Sequence, residues 1–283
     1  MPNIDIIANR CTQCNDCIEV CPTDTLEMNR DSAEIAHPER CVSCGHCAAI
    51  CPVDAITSSK TNTRAPFIVE EIPPGLPPEQ ALFLQKRSTR IFKPGKPGNE
   101  TIETLVQIAE KAPSSHNLRQ REYIIVTDPA KIRQMEEIVV KVYRSLLRIL
   151  KPAVIKFFGF FSGRLGQELE EFAIDFKNMV AKTSAGESHI FRGAPCVVFI
   201  AAPKGYDQAR DDCVAAQHYM MLYAQTLGIS SCIIGYAQYA HKRLERYLNI
   251  TGGKQIYAVT IFGYPGYSYR KTIRHKSPSI TWK

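Results

Sequence analysis

Eight of the chain's eleven cysteines stand in two runs of one form, Cys11-x2-Cys14-x2-Cys17-x3-Cys21-Pro22 and Cys41-x2-Cys44-x2-Cys47-x3-Cys51-Pro52, thirty residues apart. Thiolates are soft ligands and suit iron–sulfur centres. Two-residue gaps let one tight loop aim three sulfurs at one cubane, and two such runs fit two [4Fe–4S] clusters. A structural zinc site would want paired Cys-x2-Cys knuckles with a longer spacer. Here three cysteines crowd into seven residues, twice. A disulfide framework would suit a small secreted chain. Met1-Pro2-Asn3-Ile4-Asp5 opens with neither a basic nor an apolar segment, so no signal peptide is expected. Thiolates reserved for oxygen-sensitive clusters point to a reducing, cytoplasmic setting.

The duplication runs deeper than the ligands. Arg10/Arg40, Asp24/Asp54 and Leu26/Ile56 recur at the same offset, so a whole supersecondary unit is repeated. Residues 1–60 resemble the bacterial-type 2[4Fe–4S] ferredoxin domain. That resemblance implies that three cysteines of a run wrap one cluster and the fourth reaches across to the other. One cluster then takes Cys11, Cys14, Cys17 and Cys51, and the other Cys41, Cys44, Cys47 and Cys21. Short strands are expected at 4–7 and 34–36.

Further elements must hold whatever those electrons reach. A chain of 283 residues is expected to form two domains. The net charge of +7 is uneven: residues 1–60 carry nine acidic and four basic side chains, a balance of −5, which leaves +12 for the rest. No nucleic-acid motif accompanies the excess, so no nucleic acid is expected as partner; a basic body that binds an anionic cofactor fits better. Pro66, Pro73, Pro74, Pro77, Pro78 and Gly75 mark 61–80 as an extended linker without regular structure. The second domain is placed at 81–283. Helices are expected at 99–111 (capped by Asn99), 130–149, 166–183 and 207–227 (capped by Asp207), and strands at 123–127, 196–202, 229–235 and 256–263. This mixture, with no phosphate-binding glycine loop, reads as an α+β sheet domain rather than a dinucleotide-binding fold. Residues 130–183 read as a cap insertion. Within it, 146–161 is apolar but broken by Arg148, Lys151, Lys156, Pro152 and Gly159, so a pocket cap or a dimer contact is expected ahead of a membrane-surface role. No uncharged apolar run reaches 18 residues, so no membrane span is expected.

Four stretches could build an anion and ring site: Lys86-Arg87-Ser88-Thr89-Arg90-Ile91-Phe92, Ala112-Pro113-Ser114-Ser115-His116-Asn117, Gly228 to Gly235, and Gly263-Tyr264-Pro265 followed by Arg270, Lys271, Arg274 and Lys276. In this order they resemble the nitroreductase family of FMN-dependent oxidoreductases, from about residue 81 to the C-terminus. The resemblance implies that Lys86, Arg87, Ser88 and Arg90 bind FMN, whose phosphate dianion favours Arg and Lys donors. It also implies that Pro113, Ser114, Ser115 and Asn117 line the ribityl chain and ring edge. Ile234 and Gly235 would pack by the isoalloxazine, and Arg274 and Lys276 would clamp the phosphate. After Asn117 the chain departs from the family's common tripeptide with Arg119-Gln120-Arg121. Arg119 or Arg121 is a candidate for an acidic substrate or for a salt bridge to Glu122. Cys196, Cys213 and Cys232 are expected as buried small hydrophobes.

The expected function is an oxidoreductase that passes electrons from two [4Fe–4S] clusters to FMN and on to a small organic acceptor, nitroaromatic, quinone or enone-like. No catalytic side chain is assigned, because the cofactor does the chemistry. The alternative is a non-catalytic electron relay to a partner enzyme. An external donor, a ferredoxin or NAD(P)H, is expected. A homodimer is implied by the family, with Met220, Met221, Tyr223, Ala224 and Leu227 as candidates for its contact.

Overall fold

A computed structural model of the chain describes residues 4–58, 67–269, 271–274 and 278–283. The chain divides into two units, 1–85 with 267–283, and 86–266.

The first unit is built from the duplicated half-motif. Strand β1 (Ile4–Ile6) leads to α1 (Asp16–Glu19) and β2 (Leu26–Met28). Strand β3 (Ala33–Ile35), α2 (His46–Ile50) and β4 (Ile56–Ser58) follow. β1 pairs antiparallel with β4, Ile6 opposite Ile56, and β2 with β3, Leu26 opposite Ile35. The repeat is also a backbone repeat. Left-handed φ values occur at Gln13 (57°), Asn15 (72°) and Asp24 (52°), and thirty residues later at Ser43 (56°), Gly45 (72°) and Asp54 (51°). The bends that turn each cysteine loop are therefore the same. Asn15 tolerates this conformation better than most residues. Gly45 has a second reason, since a Cβ there would lie 3.1 Å from the Phe67 ring and 3.2 Å from Ile273.

The stretch expected as a structureless linker is partly regular. Strand β5 (Ile68–Glu71) lies in it and helix α3 (Pro78–Gln85) begins in it, and 59–66 fall outside the described residues. Pro78 opens the helix rather than breaking it, since its missing N–H is surplus in a first turn.

The second unit is a four-stranded antiparallel sheet between two groups of helices. Its elements are α4 (Asn99–Ala109), β6 (Glu122–Val126), α5 (Pro129–Ile149), α6 (Pro152–Phe161), α7 (Gly163–Ser184) and β7 (Cys196–Pro203). After them come α8 (Ala209–Thr226), β8 (Ser230–Ile233), α9 (Gly235–Tyr239), α10 (His241–Tyr247) and β9 (Lys254–Gly263). The strand order is β6-β7-β9-β8. β7 alternates as a strand must: Val197 and Phe199 pack into one core with α5, α9 and α10, and Cys196, Val198, Ile200 and Ala202 into the other with α4 and α8. Two helix caps differ from expectation. Gly98, not Asn99, precedes α4, and α8 starts at Ala209 after Gln208, so Asp207 is not its cap. Met220, Met221 and Ala224 are buried in their own unit's core, which answers for their apolar character without a partner. The chain then returns to the first unit through β10 (Lys271–Arg274), which pairs antiparallel with β5. The boundary thus falls at Gln85/Lys86, and 267–283 leave the domain to which the sequence assigned them.

Candidate functional site

The first unit brings the eight motif cysteines into two pockets. One is lined by Cys11, Cys14, Cys17 and Cys51, with Ile6, Met28 and Ile56 among its apolar walls. The other is lined by Cys21, Cys41, Cys44 and Cys47, with Ile4, Leu26 and Val42. Each therefore collects three sulfurs from one run and the fourth from the other. The two fourth cysteines are treated alike: the Thr25 N–H donates to Cys21 Sγ (3.3 Å) and the Ala55 N–H to Cys51 Sγ (3.2 Å). Backbone donors of this kind stabilise thiolate charge and tune a centre bound there. Burial, together with Cys14, Cys51 and Cys11, pushes the Cys17 thiol up to about 12. Cys47 is raised by burial and by Cys44 and Cys21. Crowded, desolvated thiols resist ionising together unless a cationic centre takes the place of their protons. Among the described residues no three His, Cys, Asp or Glu side chains converge on a single-ion position. Four sulfurs around a pocket, shielded by aliphatic walls, fit a cluster better than one zinc ion.

In the second unit the segment after Gln85 lies against β8. Ser88 forms a parallel bridge with Ser231, and the Thr89 N–H donates to the Ser231 carbonyl (3.1 Å). Lys86 Nζ donates to the carbonyls of Arg87 (2.8 Å) and Ser231 (3.4 Å). Arg90 reaches back to the Ser88 carbonyl at 3.4 Å. Among the described residues no carboxylate pairs with Lys86. Burial, with Arg87 and Arg90 nearby, brings its ammonium down to about 8 against a weaker opposing effect of Cys232. Ser231 Oγ is buried with no hydrogen-bond partner among the described residues. A desolvated cation beside an unused hydroxyl is a fit for an anionic ligand. β8 leads directly into Ile234 and Gly235, so these two join Lys86, Arg87, Ser88 and Arg90 in one neighbourhood.

Ser114 to Asn117 are held at the start of α8. The Ser115 N–H donates to Asp212 Oδ1 (3.0 Å), and Ser115 Oγ donates to Gln208 (2.9 Å). Tyr206 OH donates to Asp212 Oδ2 (2.8 Å). His116 (φ 49°) and Asn117 (φ 53°) are left-handed, and Arg119 Nε donates to Asn117 Oδ1 (2.8 Å). Asp212, Gln208 and Tyr206 were missed in the sequence; the acid pair Asp211-Asp212 in the first turn of α8 was the available signal. Arg121 does not meet Glu122. Its side chain is 1% exposed and donates to Glu110 (3.1 Å) and to the carbonyls of Ala112 and Asp212, while Glu122 pairs with Lys254. Arg121 thus fastens this loop and is not open to a substrate.

Arg274 lies in β10 of the first unit, and both its Nε (3.0 Å) and Nη2 (2.8 Å) donate to Glu70 Oε1. Lys276 and Arg270 fall outside the described residues. Gly263 to Gly266 serve the fold, since Lys93 N–H donates to the Tyr264 carbonyl (2.8 Å) and Gly266 N–H to that of Ile91 (2.9 Å). Cys196 and Cys213 are buried, and burial raises each thiol to about 12, so both behave as apolar filling. Cys232 is buried too.

An α+β sheet unit with a cationic segment on β8, preceded by a duplicated cysteine unit, defines a flavoenzyme-like oxidoreductase fused to an iron–sulfur module. The comparisons agree in kind. Residues 84–264 match the Nitroreductase family, and residues 10–55 match the 4Fe-4S dicluster domain. The chain belongs to the nitroreductase family and carries an N-terminal 4Fe–4S domain ahead of it. A relative from Archaeoglobus fulgidus, provisionally named NADH dehydrogenase/NAD(P)H nitroreductase, is 25% identical over 190 residues, spanning 65% of this chain and 83% of its own. A nitroreductase from Desulfitobacterium hafniense, solved with bound FMN, is 18% identical with a TM-score of 0.54, covering 74% of this chain and 99% of its own. A BluB-like flavoprotein from Clostridium difficile is 19% identical with a TM-score of 0.51, covering 71% and 94%. These likenesses extend to the fold.

Proposed function

We propose that the chain holds two [4Fe–4S] clusters and one FMN, and passes electrons through them to a small organic acceptor of the nitroaromatic, quinone or enone type. The observation that carries this reading is the pair of four-cysteine pockets in the same polypeptide as a nitroreductase unit in which Lys86 lies against β8 with no carboxylate paired to it among the described residues. When bound, the clusters carry single electrons and the flavin pairs them for the acceptor.

The chain's own groups position and tune. Cys11, Cys14, Cys17 and Cys51 would hold one cluster, and Cys41, Cys44, Cys47 and Cys21 the other. Thr25 and Ala55 donate to one sulfur of each set. Lys86, Arg87, Ser88 and Arg90 would take the anionic parts of FMN, where cations also stabilise charge that develops on reduction. Ser114, Ser115 and Asn117 would present backbone and side-chain groups to the ribityl chain and ring edge, with Pro113 beside them. Asp212 fixes that loop by accepting the Ser115 N–H. Ile234 and Gly235 would border the ring. The homodimer habit of the family supports a dimer, the FMN-bound nitroreductase structure supports FMN as the flavin, and the relative's NAD(P)H-related name supports an external donor, NAD(P)H or a ferredoxin. No helix among the described residues is long and apolar enough to cross a membrane, and a cytoplasmic location fits the thiolate chemistry.

Anaerobic purification followed by iron and flavin assay is the first test; about eight iron per chain are expected from two four-iron centres. Clusters should then be reduced, flavin bleaching followed, and acceptors screened. Bleaching with turnover of at least one acceptor is expected. Reduction of a partner protein without turnover of any small acceptor would establish a relay instead. A folded, colourless protein would overturn the reading.

A further inference from the structure

Helix α6 is apolar in sequence, Pro-Ala-Val-Ile-Lys-Phe-Phe-Gly-Phe-Phe, yet none of its ten residues is buried. Phe157, Phe158, Phe160 and Phe161 are 60, 42, 87 and 71% exposed. Their rings pack on one another, Phe157 on Phe161 at 5.1 Å between centroids and Phe160 on Phe161 at 5.5 Å. Ile149, at the end of α5, is exposed beside them in sequence. The helix is nevertheless held in place. Gly166 of α7 approaches so closely that a Cβ on it would lie 2.7 Å from the Cα of Gly159, and Ser162 caps α7 through the Leu165 N–H (3.3 Å). Four aromatic rings standing in water on a fixed hairpin form a patch that soluble monomers rarely carry without a use.

Charge selects the occupant. From residue 138 to 167 the chain has six basic residues, Lys141, Arg144, Arg148, Lys151, Lys156 and Arg164, and no Asp or Glu. All six are exposed. Arg164 pairs with Glu168 of α7, but among the described residues no carboxylate pairs with Lys141, Arg148, Lys151 or Lys156. A second copy docking face to face would set this cationic surface against itself. Phenylalanines flanked by lysine and arginine are the profile of a helix lying in a bilayer interface, with rings among the acyl chains and cations at the head groups. At roughly 15 Å long, α6 is far short of the ~30 Å hydrocarbon core, so it can lie on a membrane but not cross it.

We propose that the α6 hairpin docks the protein on anionic lipid surfaces. This inference is independent of the acceptor and of the cofactors. The test uses the full-length holoprotein, kept anaerobic, in sedimentation with vesicles of phosphatidylcholine alone or mixed with phosphatidylglycerol. Binding to the mixed vesicles at low salt, weak binding to the neutral ones and release by raised salt are expected. The double variant Phe160→Glu with Phe161→Glu should lower partitioning by about tenfold or more, and Lys151→Gln with Lys156→Gln should flatten its salt dependence. Iron content and circular dichroism should stay at the wild-type level in both. Equal binding to neutral and anionic vesicles, no binding to either, or unchanged binding of both variants would overturn the proposal. So would light scattering that shows a wild-type dimer split by the phenylalanine variant, since a second copy would then cover the patch.

Discussion

The ammonium of Lys271 lies 3.0 Å from the carbonyl oxygen of Cys51, although 220 residues separate them in sequence. Lys271 is only 9% exposed and also donates to Asp54 Oδ1. A buried cation is thereby fixed beside the cysteine that completes the first quartet. Strand β10 carries it there by pairing with β5, and Ile273 of β10 packs into the first unit's core.

With the proposed cluster in the Cys11, Cys14, Cys17 and Cys51 pocket, Lys271→Met would remove a positive charge next to a centre that gains negative charge on reduction. The potential of the cluster bound by Cys51 is expected to fall, with the other moving less. Leaving the Cys51 carbonyl without its donor should also cost about 1–3 kcal/mol of first-unit stability; the Asp54 pair adds little, since that carboxylate is exposed. Anaerobic spectroelectrochemistry and thermal melting check the two parts. An unchanged potential with lowered stability would leave Lys271 a purely structural role.

On the proposed flavin assignment, Lys86 is expected to tie FMN retention to pH. Its folded value of about 8 lies below the ordinary 10.5, chiefly through burial. Between those values the unfolded chain binds more protons than the folded one, so in flavin-free protein stability rises with pH across that window. Below about 8 both states are protonated and the full penalty is present. An anion bound at Lys86 reverses this by holding the proton, so FMN affinity is expected to fall as pH rises through about 8. Lys86→Met should weaken FMN by about tenfold, as loss of one charge-assisted hydrogen bond does, abolish that pH slope, and stabilise the flavin-free form. Fluorescence titration of FMN at several pH values decides it; a slope that survives in the variant would contradict the assignment.

Ligand spacing was the most legible feature of the sequence, because a cluster loop is a local object: Cys11 to Cys17 need only their own turns. The pairing of β10 with β5 was hidden for the opposite reason. A four-residue strand carries little pattern of its own, and its partner lies some two hundred residues earlier among prolines. Arg274 was expected at a phosphate because a guanidinium names a class of partner and not the partner; Glu70 took it. Unbroken apolar runs made the buried strands readable, as in Cys196 to Ala202. Asp212 was not readable as the anchor of Ser115, since an acid in a first turn is ordinarily explained by the helix dipole alone.

Arg121 illustrates how such an anchor is held. Its buried guanidinium joins Glu110 to the carbonyls of Ala112 and Asp212, and Tyr123 OH donates to the same Glu110 (2.7 Å). Arg121→Met leaves that carboxylate and two carbonyls short of donors. A loss of roughly 2–4 kcal/mol is expected, below the full figure for a buried pair because Glu110 is partly exposed. Arg121→Lys should recover little, since a point charge cannot serve three acceptors in fork geometry. Urea unfolding measures the loss, and FMN affinity should fall with it as Ser115 loosens.

Gly263 tests whether space or backbone conformation calls for glycine at the start of the Gly-Tyr-Pro stretch. Its φ is not in the left-handed region, so flexibility is not what glycine supplies here. A Cβ would lie 2.7 Å from the Phe92 ring and 2.9 Å from Pro195 Cδ, contacts that only a shift of these partly buried groups could relieve. Gly263→Ala is accordingly expected to cost about 1–3 kcal/mol as overpacking, despite alanine's smaller backbone entropy loss. Phe92→Leu should restore part of that stability when combined with Gly263→Ala while lowering it alone. The sign of that coupling, read from a double-mutant cycle by denaturant melts, separates steric crowding from backbone preference: additive losses would mean that the ring is not what excludes the methyl group.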